Sequence, residues 1–293
     1  MADRPPHVLI LVPEPAYPEP WAWAFHVEAE ALRSGGFEVS ARPWTASGEL
    51  APFDAVLPLV AWGYHERHDE WLALLERLES EPVPCINPAR LLRWNSDKAY
   101  LAELDAKDVP TVHTIAVEAL DEHGLREARD RFGCERLVVK PPISASATGT
   151  FLLSPSDPVP DEVAGRRMLI QPFMASIAAH GEYSLMLFDD EYSHTILKTP
   201  KVGDFRVQPH LGGTERPCEP PAGALDLARS ALAAAPAEAV YARVDMVADD
   251  EGTLRIMELE LIEPALWLQL GPGAGSAFAS AVRRAIEQPL PQG

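Results

Sequence analysis

The chain opens with an unbroken apolar run, HVLILV at 7–12, flanked by prolines, which predicts a buried strand. From Ala22 to Gly35 apolar residues recur at Ala24, Val27, Ala31 and Leu32, the three- and four-residue spacing of a helix, and Gly35-Gly36 ends it. FEVSARPW (37–44), FDAVLPLVAW (53–62) and VPCINP (83–88) predict further strands, with an amphipathic helix, HDEWLALLERLES (68–80), before the last of them. Strands alternating with helices imply a parallel sheet over residues 1–88. VPEPAYPEP, which follows the first strand, contains no glycine, so a dinucleotide-binding turn is unsupported there.

Beyond Pro88 the pattern changes. SDKAYLAELDAKDV (96–109) predicts a helix capped by Ser96 and stopped by Pro110, and Asp121 to Phe132 predicts a second. VHTIAV (112–117) and RLVVKPP (136–142) read as strands around that second helix, and SASATGTFLLS (144–154) as a loop of small residues entering another strand. From Arg167 the strands lengthen and read as antiparallel: RMLIQPF (167–173), GEYSLMLFDDEYSHTILKT (181–199) and YARVDMVADDEGTLRIMELELI (241–262). Helices over Ala222–Ala234 and Ser276–Glu287 complete the chain, and Asp-Asp and Asp-Asp-Glu-Gly mark the hairpin turns. The fold class is α/β, becoming α+β in the C-terminal part, in three units: 1–88, 89–165 and 166–293.

Composition adds two constraints. The net charge of −19 argues against nucleic-acid and anionic-membrane partners, and makes each lysine or arginine near an anion site informative. Three widely spaced cysteines form neither a disulfide framework nor a zinc pattern, which fits a reducing cytoplasm. No apolar run approaches the ~20 residues of a membrane span, and the N-terminus does not read as a signal peptide.

The chemistry concentrates in RIMELELIEPALWLQL (255–270). With a strand's period of two, Met257, Leu259 and Leu261 point one way, Glu258 and Glu260 the other. Two carboxylates ~5 Å apart repel by about 3 kcal/mol at an effective dielectric near 20, so something must offset them. A turn centred on Asp250-Glu251 sets Arg243 across from Glu258 and Asp245 across from Ile256, bringing Asp245 onto the glutamates' face. Two readings stand: a magnesium site, or a solvated sheet face with Arg243 paired to Glu258. Lys98, Lys140 at the end of LVVK, and the small-residue loop 144–150 are candidate phosphate contacts. Each also has a plain alternative, as a surface lysine, a strand-end charge and a turn.

In this order the motifs resemble ATP-grasp enzymes of the glutathione-synthetase and ribosomal-protein glutamate ligase type, from about Asn87 to the C-terminus. The resemblance implies an ATP-grasp fold behind a Rossmann-like N-terminal domain. NSDKAYLAEL and LVVKPPISASATG match the two phosphate-binding lysine segments, implying ATP contacts from Lys98, Lys140, Ser144 and Ser146. LIQPFMASIAAHGEYSLML matches the hinge, implying adenine contacts from Gln171, Phe173 and Met174 and a ribose contact from Glu182. KVGDFRVQPHLGGTERP implies a phosphate-reaching Arg206, and RVDMV…MELELIEP implies Asp245, Glu258 and Glu260 as Mg2+ ligands, two ions in number, with Mn2+ an allowed substitute. Departures are a glycine-poor flap, Ser184 where the family has Arg, Glu260 where it has Asn, and Gln208 near the Asn missing after Asp-Phe-Arg. RWNSDKAYL, ELELIEPALWL and the WGYH at 62–65 further resemble the D-cycloserine synthetase branch.

That resemblance implies an ADP-forming ligase that joins a carboxylate to an amine through an acyl phosphate, on a small amino-acid-like substrate, with cyclisation included. Lys140 and Arg206 would be its catalytic residues. It also allows a homodimer. A small-metabolite kinase and a non-catalytic nucleotide-binding protein are the alternatives. Trp62, Tyr64 and His65 are candidates for the acceptor site or for loop packing; Glu263 for a substrate amine or a turn; PGAGS (272–276) for a carboxylate cradle or a plain loop.

Overall fold

The structure, a computed structural model, describes residues 4–288 apart from 202, 205, 209 and 210. Phe205 of the Asp-Phe-Arg stretch thus lies outside the described residues. The first unit is a three-stranded parallel sheet of β1 (His7–Val12), β2 (Glu38–Pro43) and β3 (Ala55–Leu57), ordered β2-β1-β3. The period of two sorts β1 between two cores. Val8, Ile10 and Val12 pack with α1 (Ala22–Ser34) and the closing helix α8 (Ala274–Glu287), while Leu9 and Leu11 pack with α2 (His68–Ser80). The predicted fourth strand, VPCINP, is reduced to one parallel bridge between Cys85 and Val56. Prolines 84 and 88 bracket it and supply no backbone donor, so a ladder cannot extend.

Between residues 89 and 165 the helix expected from Ser96 divides differently. α3 (Ala89–Asn95) comes first and Ser96 ends it, donating from Oγ to the Arg93 carbonyl at 2.8 Å; α4 (Tyr100–Asp105) starts four residues later. Ser96 does not cap the new start: its N-cap position is Ala99, which has no side-chain cap, and Asp97 Oδ1 accepts from the Ala99 N–H at 2.9 Å in the turn just before it. A four-stranded antiparallel sheet follows, ordered β4 (Ile115–Val117), β7 (Met168–Pro172), β5 (Leu137–Lys140), β6 (Phe151–Leu153). Its strand β7 thus comes from beyond residue 165. Helix α5 (Glu122–Phe132), capped by Asp121, covers the face bearing Leu137, Val139, Leu153 and Ile170. Val138, Lys140 and Gln171 alternate onto the opposite face, which lines a cavity.

The remaining sheet is five-stranded and antiparallel, ordered β10 (Thr214–Cys218), β9 (Glu191–Thr199), β8 (Glu182–Phe188), β11 (Tyr241–Ala248), β12 (Leu254–Glu260). Leu185, Leu187, Ala242, Val244 and Met246 face α4 and α7 (Ala224–Ala233). The other face changes character along its length. Tyr241, Met186, Phe188 and Ile196 pack against α8, whereas Arg243, Asp245, Ser184, Glu182 and Lys198 are charged or polar. The two hairpin turns of this sheet have left-handed backbone at Asp189 and Asp190 and at Gly252. A short helix, α6 (Ile177–His180), and β10 carry too few periodic residues to be read from sequence.

β12 is the outer strand of this sheet, and a bare edge would leave backbone groups unpaired. Side chains from the preceding unit cover it. Tyr100 Oη accepts from the Leu259 N–H at 2.7 Å and donates to its carbonyl at 3.1 Å, and Asn95 Nδ2 donates to that same carbonyl at 2.8 Å. Asn95 Oδ1 accepts from Leu261 N–H at 3.1 Å. Fully buried Asn87 spans further, donating to the carbonyls of Tyr241 and Leu261, both at 2.9 Å, and accepting from the Val240 N–H at 2.6 Å. Asn87→Ala strands these buried groups together, at about 1–3 kcal/mol for each unsatisfied group before relaxation. Urea denaturation should therefore show a loss of roughly 3 kcal/mol; a loss below about 1 kcal/mol would mean that the clasp is not needed.

Candidate active site

The polar face of the four-stranded sheet and the charged face of the five-stranded sheet enclose a cavity of about 770 Å3, within the range of small-molecule sites. Lys140, at the end of β5, enters it from the first sheet. The residue is only 9% exposed and makes no hydrogen bond or ion pair among the described residues. Burial lowers its pKa, Glu258 and Glu182 pull it back up, and Lys98 adds to the decrease. Lys98 lies opposite, before α4. Its ammonium donates to the Ser144 carbonyl and pairs with Glu258 at 3.2 Å, and its backbone N–H donates to the Pro142 carbonyl at 2.8 Å. It therefore ties the small-residue loop to the second sheet. That loop turns through left-handed backbone at Ser146, Ala147 and Gly149, and the Pro141 ring would lie 3.0 Å from a Cβ at position 149.

The residues expected at the hinge are held by neighbouring side chains. Gln171 Nε2 donates to Thr114 Oγ1 at 2.9 Å, Phe173 stacks under the Arg136 guanidinium at 4.1 Å, and Met174 packs with Val112, Ile177 and Val207. All three line the cavity, as does Arg206, whose guanidinium holds Asp204 through Nε at 3.1 Å and Nη2 at 3.0 Å.

The acidic hairpin adopts a different register from the one predicted. Asp245 pairs with Glu258 and Arg243 with Glu260, and a bulge between Asp245 and Met246 takes up the extra residue. The three carboxylates still share one face, because both differences preserve the alternation. They alternate with cations instead of forming a cluster. Asp245 accepts from Ser184 at 2.6 Å, from Lys198 at 2.9 Å and from Arg243 Nε at 3.0 Å. Arg243 also pairs with Glu260 at 2.5 Å, and Lys198 pairs with Glu182. Among the described residues no three acidic, His or Cys side chains are gathered as a metal site. Glu258 and Glu260, about a quarter exposed to the cavity, are hard oxygen donors that suit Mg2+. Asp245 is almost fully enclosed by its partners.

Electrostatics follow from this lattice. Burial raises the Asp245 pKa, but Arg243 and Lys198 outweigh it and hold the carboxyl well below the usual range. Burial pushes Glu260 up to about 7, with Glu258 and Asp245 adding to the rise and Arg243 opposing it. Burial likewise raises Glu182 against the pull of Lys198.

Sequence reasoning missed Lys198 as a functional candidate. It ends the apolar stretch TIL in β9 just as Lys140 ends LVV in β5, so the same signal was available. Among the N-terminal candidates, Trp62, Tyr64, His65 and Glu263 all line the cavity, although Tyr64 also packs on Trp71 at 5.3 Å. PGAGS does not line it. That stretch begins α8, and Gly275 there abuts Ala31 of α1.

Residues 12–87 match the family described as D-cycloserine synthetase DcsG, N-terminal domain. The cycloserine biosynthesis protein DcsG of Streptomyces lavendulae is 31% identical over 281 residues, covering 88% of this chain and 92% of that protein. The chain belongs to the DcsG family of ATP-grasp ligases. The crystal structure of D-cycloserine synthetase DcsG superposes with a TM-score of 0.81 at 26% identity, covering 96% of this chain and 99% of that one. The D-alanine–D-alanine ligase of Bacillus anthracis shares the fold, with a TM-score of 0.63 at 17% identity and 96% of each chain covered. The Rossmann-like and ATP-grasp parts of this DcsG-family chain are therefore the parallel sheet and the two antiparallel sheets described above.

Asp245→Asn tests the charge lattice. The substitution leaves Arg243 and Lys198 with too little buried negative charge, and breaking a buried pair costs about 3–5 kcal/mol. Because the folded pKa is depressed, that contribution is present above the unfolded value of ~3.9 and is lost as pH falls through the folded value. Urea unfolding should show the largest gap between wild type and variant near neutral pH, narrowing only below about pH 4. A gap that instead closed between pH 8 and 6 would contradict the assigned pairing.

Proposed function

We propose that the protein is an ATP-dependent carboxylate–amine ligase acting on a small amino-acid-like substrate, and that ring closure within one molecule is among its reactions. The observation that carries this reading is Lys140. A lysine buried at the wall of a ligand-sized cavity without an anionic partner is costly unless an anion arrives, and a nucleotide phosphate is such an anion. Lys98 and Arg206 line the same cavity, and family membership supplies the ATP. Gln171, Phe173 and Met174 offer the adenine wall, Glu182 the ribose contact, and Ser144 and Ser146 the flap contact. Mg2+ would be held by Glu258 and Glu260, with Asp245 beside them, and it supplies charge neutralisation on the phosphoryl oxygens. Mn2+ has the same ligand preference.

In the reaction a substrate carboxylate oxygen forms a bond to the γ-phosphorus while the bond from phosphorus to the leaving ADP oxygen breaks. A nitrogen lone pair then bonds to the acyl carbon of the mixed anhydride, phosphate departs with the C–O bonding pair, and the nitrogen loses a proton. The chain positions the reactants and neutralises charge; no side-chain nucleophile is required. Lys140 and Lys98 stand ready for the phosphoryl oxygens, Arg206 lines the same cavity, and the loop at 144–149 would shield the anhydride from water. The free thiols Cys85, Cys134 and Cys218 suit a cytoplasmic setting, and no described helix is long and apolar enough to cross a membrane.

Lys140→Ala and Glu258→Gln should each lower kcat for ADP formation at least ~100-fold, the scale of removing one fixed electrostatic contact, with unchanged circular dichroism. The measurement is a coupled ADP assay with Mg2+, ATP and a library of amino acids that includes O-substituted D- and L-serines. Undiminished turnover in either variant refutes the site. ADP formation that yields a stable phosphorylated metabolite and no amide makes the protein a kinase.

A further inference from the structure

The loop that follows β12, residues 264–271, carries a backbone outlier. Trp267 has φ 41°, in the left-handed region. The other non-glycine residues found there, among the described residues, are aspartates, a serine and an alanine; Trp267 alone is bulky. A large side chain stays in that region only when its surroundings hold it there. Here they do. Leu266 and Leu268, on either side, are buried in the core that packs with α8. The Leu266 carbonyl accepts from His194 Nε2 at 3.1 Å, and the Trp267 carbonyl accepts from the Leu270 N–H at 2.8 Å. At the loop's end a Cβ on Gly271 would lie 2.5 Å from the His194 ring, so the chain closes directly onto that imidazole. Trp267 itself is only half-buried and lines the cavity.

Both parts of its indole are engaged. Nε1 donates to Oε2 of Glu215, on β10, at 2.9 Å. The ring face lies against the Arg243 guanidinium, whose central carbon is 5.2 Å from the ring centroid. Arg243 commits Nε to Asp245 at 3.0 Å, and Nη2 to Asp245 at 3.0 Å and to Glu260. Nη1 donates to no described residue. A guanidinium holds its five donors in one plane. The carboxylates fix two of its nitrogens and the indole blocks its tilt, so the Nη1 pair is left with one defined direction. Arg243 lines the cavity, and Nη1 is the nitrogen it has left for a ligand there.

We propose that Trp267 is a positioning residue that acts through Arg243. Locked by Glu215 and by its loop, the indole holds the guanidinium plane so that Nη1 meets an anionic oxygen of the bound substrate. This rests on the ligase reading above. Tryptophan suits the task because it offers a donor and an electron-rich face at once. Leucine would offer neither, and phenylalanine would keep the face alone.

The test is a double-substitution cycle in the coupled ADP assay, with Mg2+, ATP and whichever amino acid or O-substituted serine wild type turns over fastest. Calorimetry with the non-hydrolysable analogue AMPPNP and circular dichroism accompany it. Trp267→Leu should lower kcat at least tenfold and leave AMPPNP affinity within twofold of wild type. Trp267→Phe should recover most of that loss. In an Arg243→Lys background, itself impaired, adding Trp267→Leu should lower kcat less than twofold further, because the group it positions is already gone. A full tenfold further loss there, or a folded Trp267→Leu with wild-type kcat, overturns the proposal. So does AMPPNP binding that weakens in step with kcat, the mark of a general loosening of the cavity. Glu215→Ala, which releases the indole and touches neither ring nor guanidinium, should lower kcat at least threefold, and Glu215→Gln, which keeps an acceptor, should lower it less. Equal kcat in the two Glu215 variants overturns the proposal even where Trp267→Leu or Arg243→Lys does not fold. If wild type forms no ADP with any member of the panel, the ligase reading falls and the role of Trp267 falls with it.

Discussion

Charge taken out of water must be neutralised, and that constraint organises the cavity of this protein. Lys198, Asp245, Arg243 and Glu260 form a line of alternating sign across one sheet, from β9 over β8 to β11 and β12. Each member would be prohibitively costly alone, and each is tolerable because its neighbours carry the opposite sign. The line also keeps the sheet face polar where the apolar contacts with α8 end. Beside that balanced lattice Lys140 and Glu28 stand as one cation and one acid with no hydrogen bond or ion pair among the described residues. Unbalanced groups in an otherwise balanced cavity are where ligand charge is expected.

The lattice depends in turn on a held edge. Glu258 and Glu260 belong to the outermost strand of their sheet, where twist and fraying would move them by ångströms. Asn87, Asn95 and Tyr100, all from the segment joining the first unit to the second, satisfy the outward backbone groups of Leu259 and Leu261. The same segment continues into Lys98, so one stretch of chain secures the acidic strand, places a cation in the cavity wall and ties down the loop beside it. Structure and chemistry share residues here, which is why substitutions in this segment should affect both.

Ser184 and Glu260, two of the departures from the wider ligase pattern, acquire reasons in the fold. Ser184 is buried against Asp245, where its hydroxyl donates into the lattice; an arginine there would add a third cation to a carboxylate that already holds two. Glu260 supplies the negative charge that Arg243 needs on its far side. The two replacements are charge-compatible with each other, and the cavity remains balanced.

Much of this was legible in the sequence. β1 and α2 fall on the residues that periodicity marks, because a period of two or 3.6 reports directly which face of an element is buried. The alternation of Glu258 and Glu260 and the sharing of one face with Asp245 were legible for the same reason. What periodicity cannot report is the partner of each face. That α8 returns to cover the first sheet, that a bulge shifts the acidic hairpin, and that Asp245 is enclosed by Lys198 and Arg243 are decided by packing between elements distant in the chain. Glu28 shows the division most clearly. Its place on a buried stripe is written in the spacing of α1, but only the tertiary structure brings Glu28 to the wall of a cavity and leaves its Oε2 without a partner among the described residues.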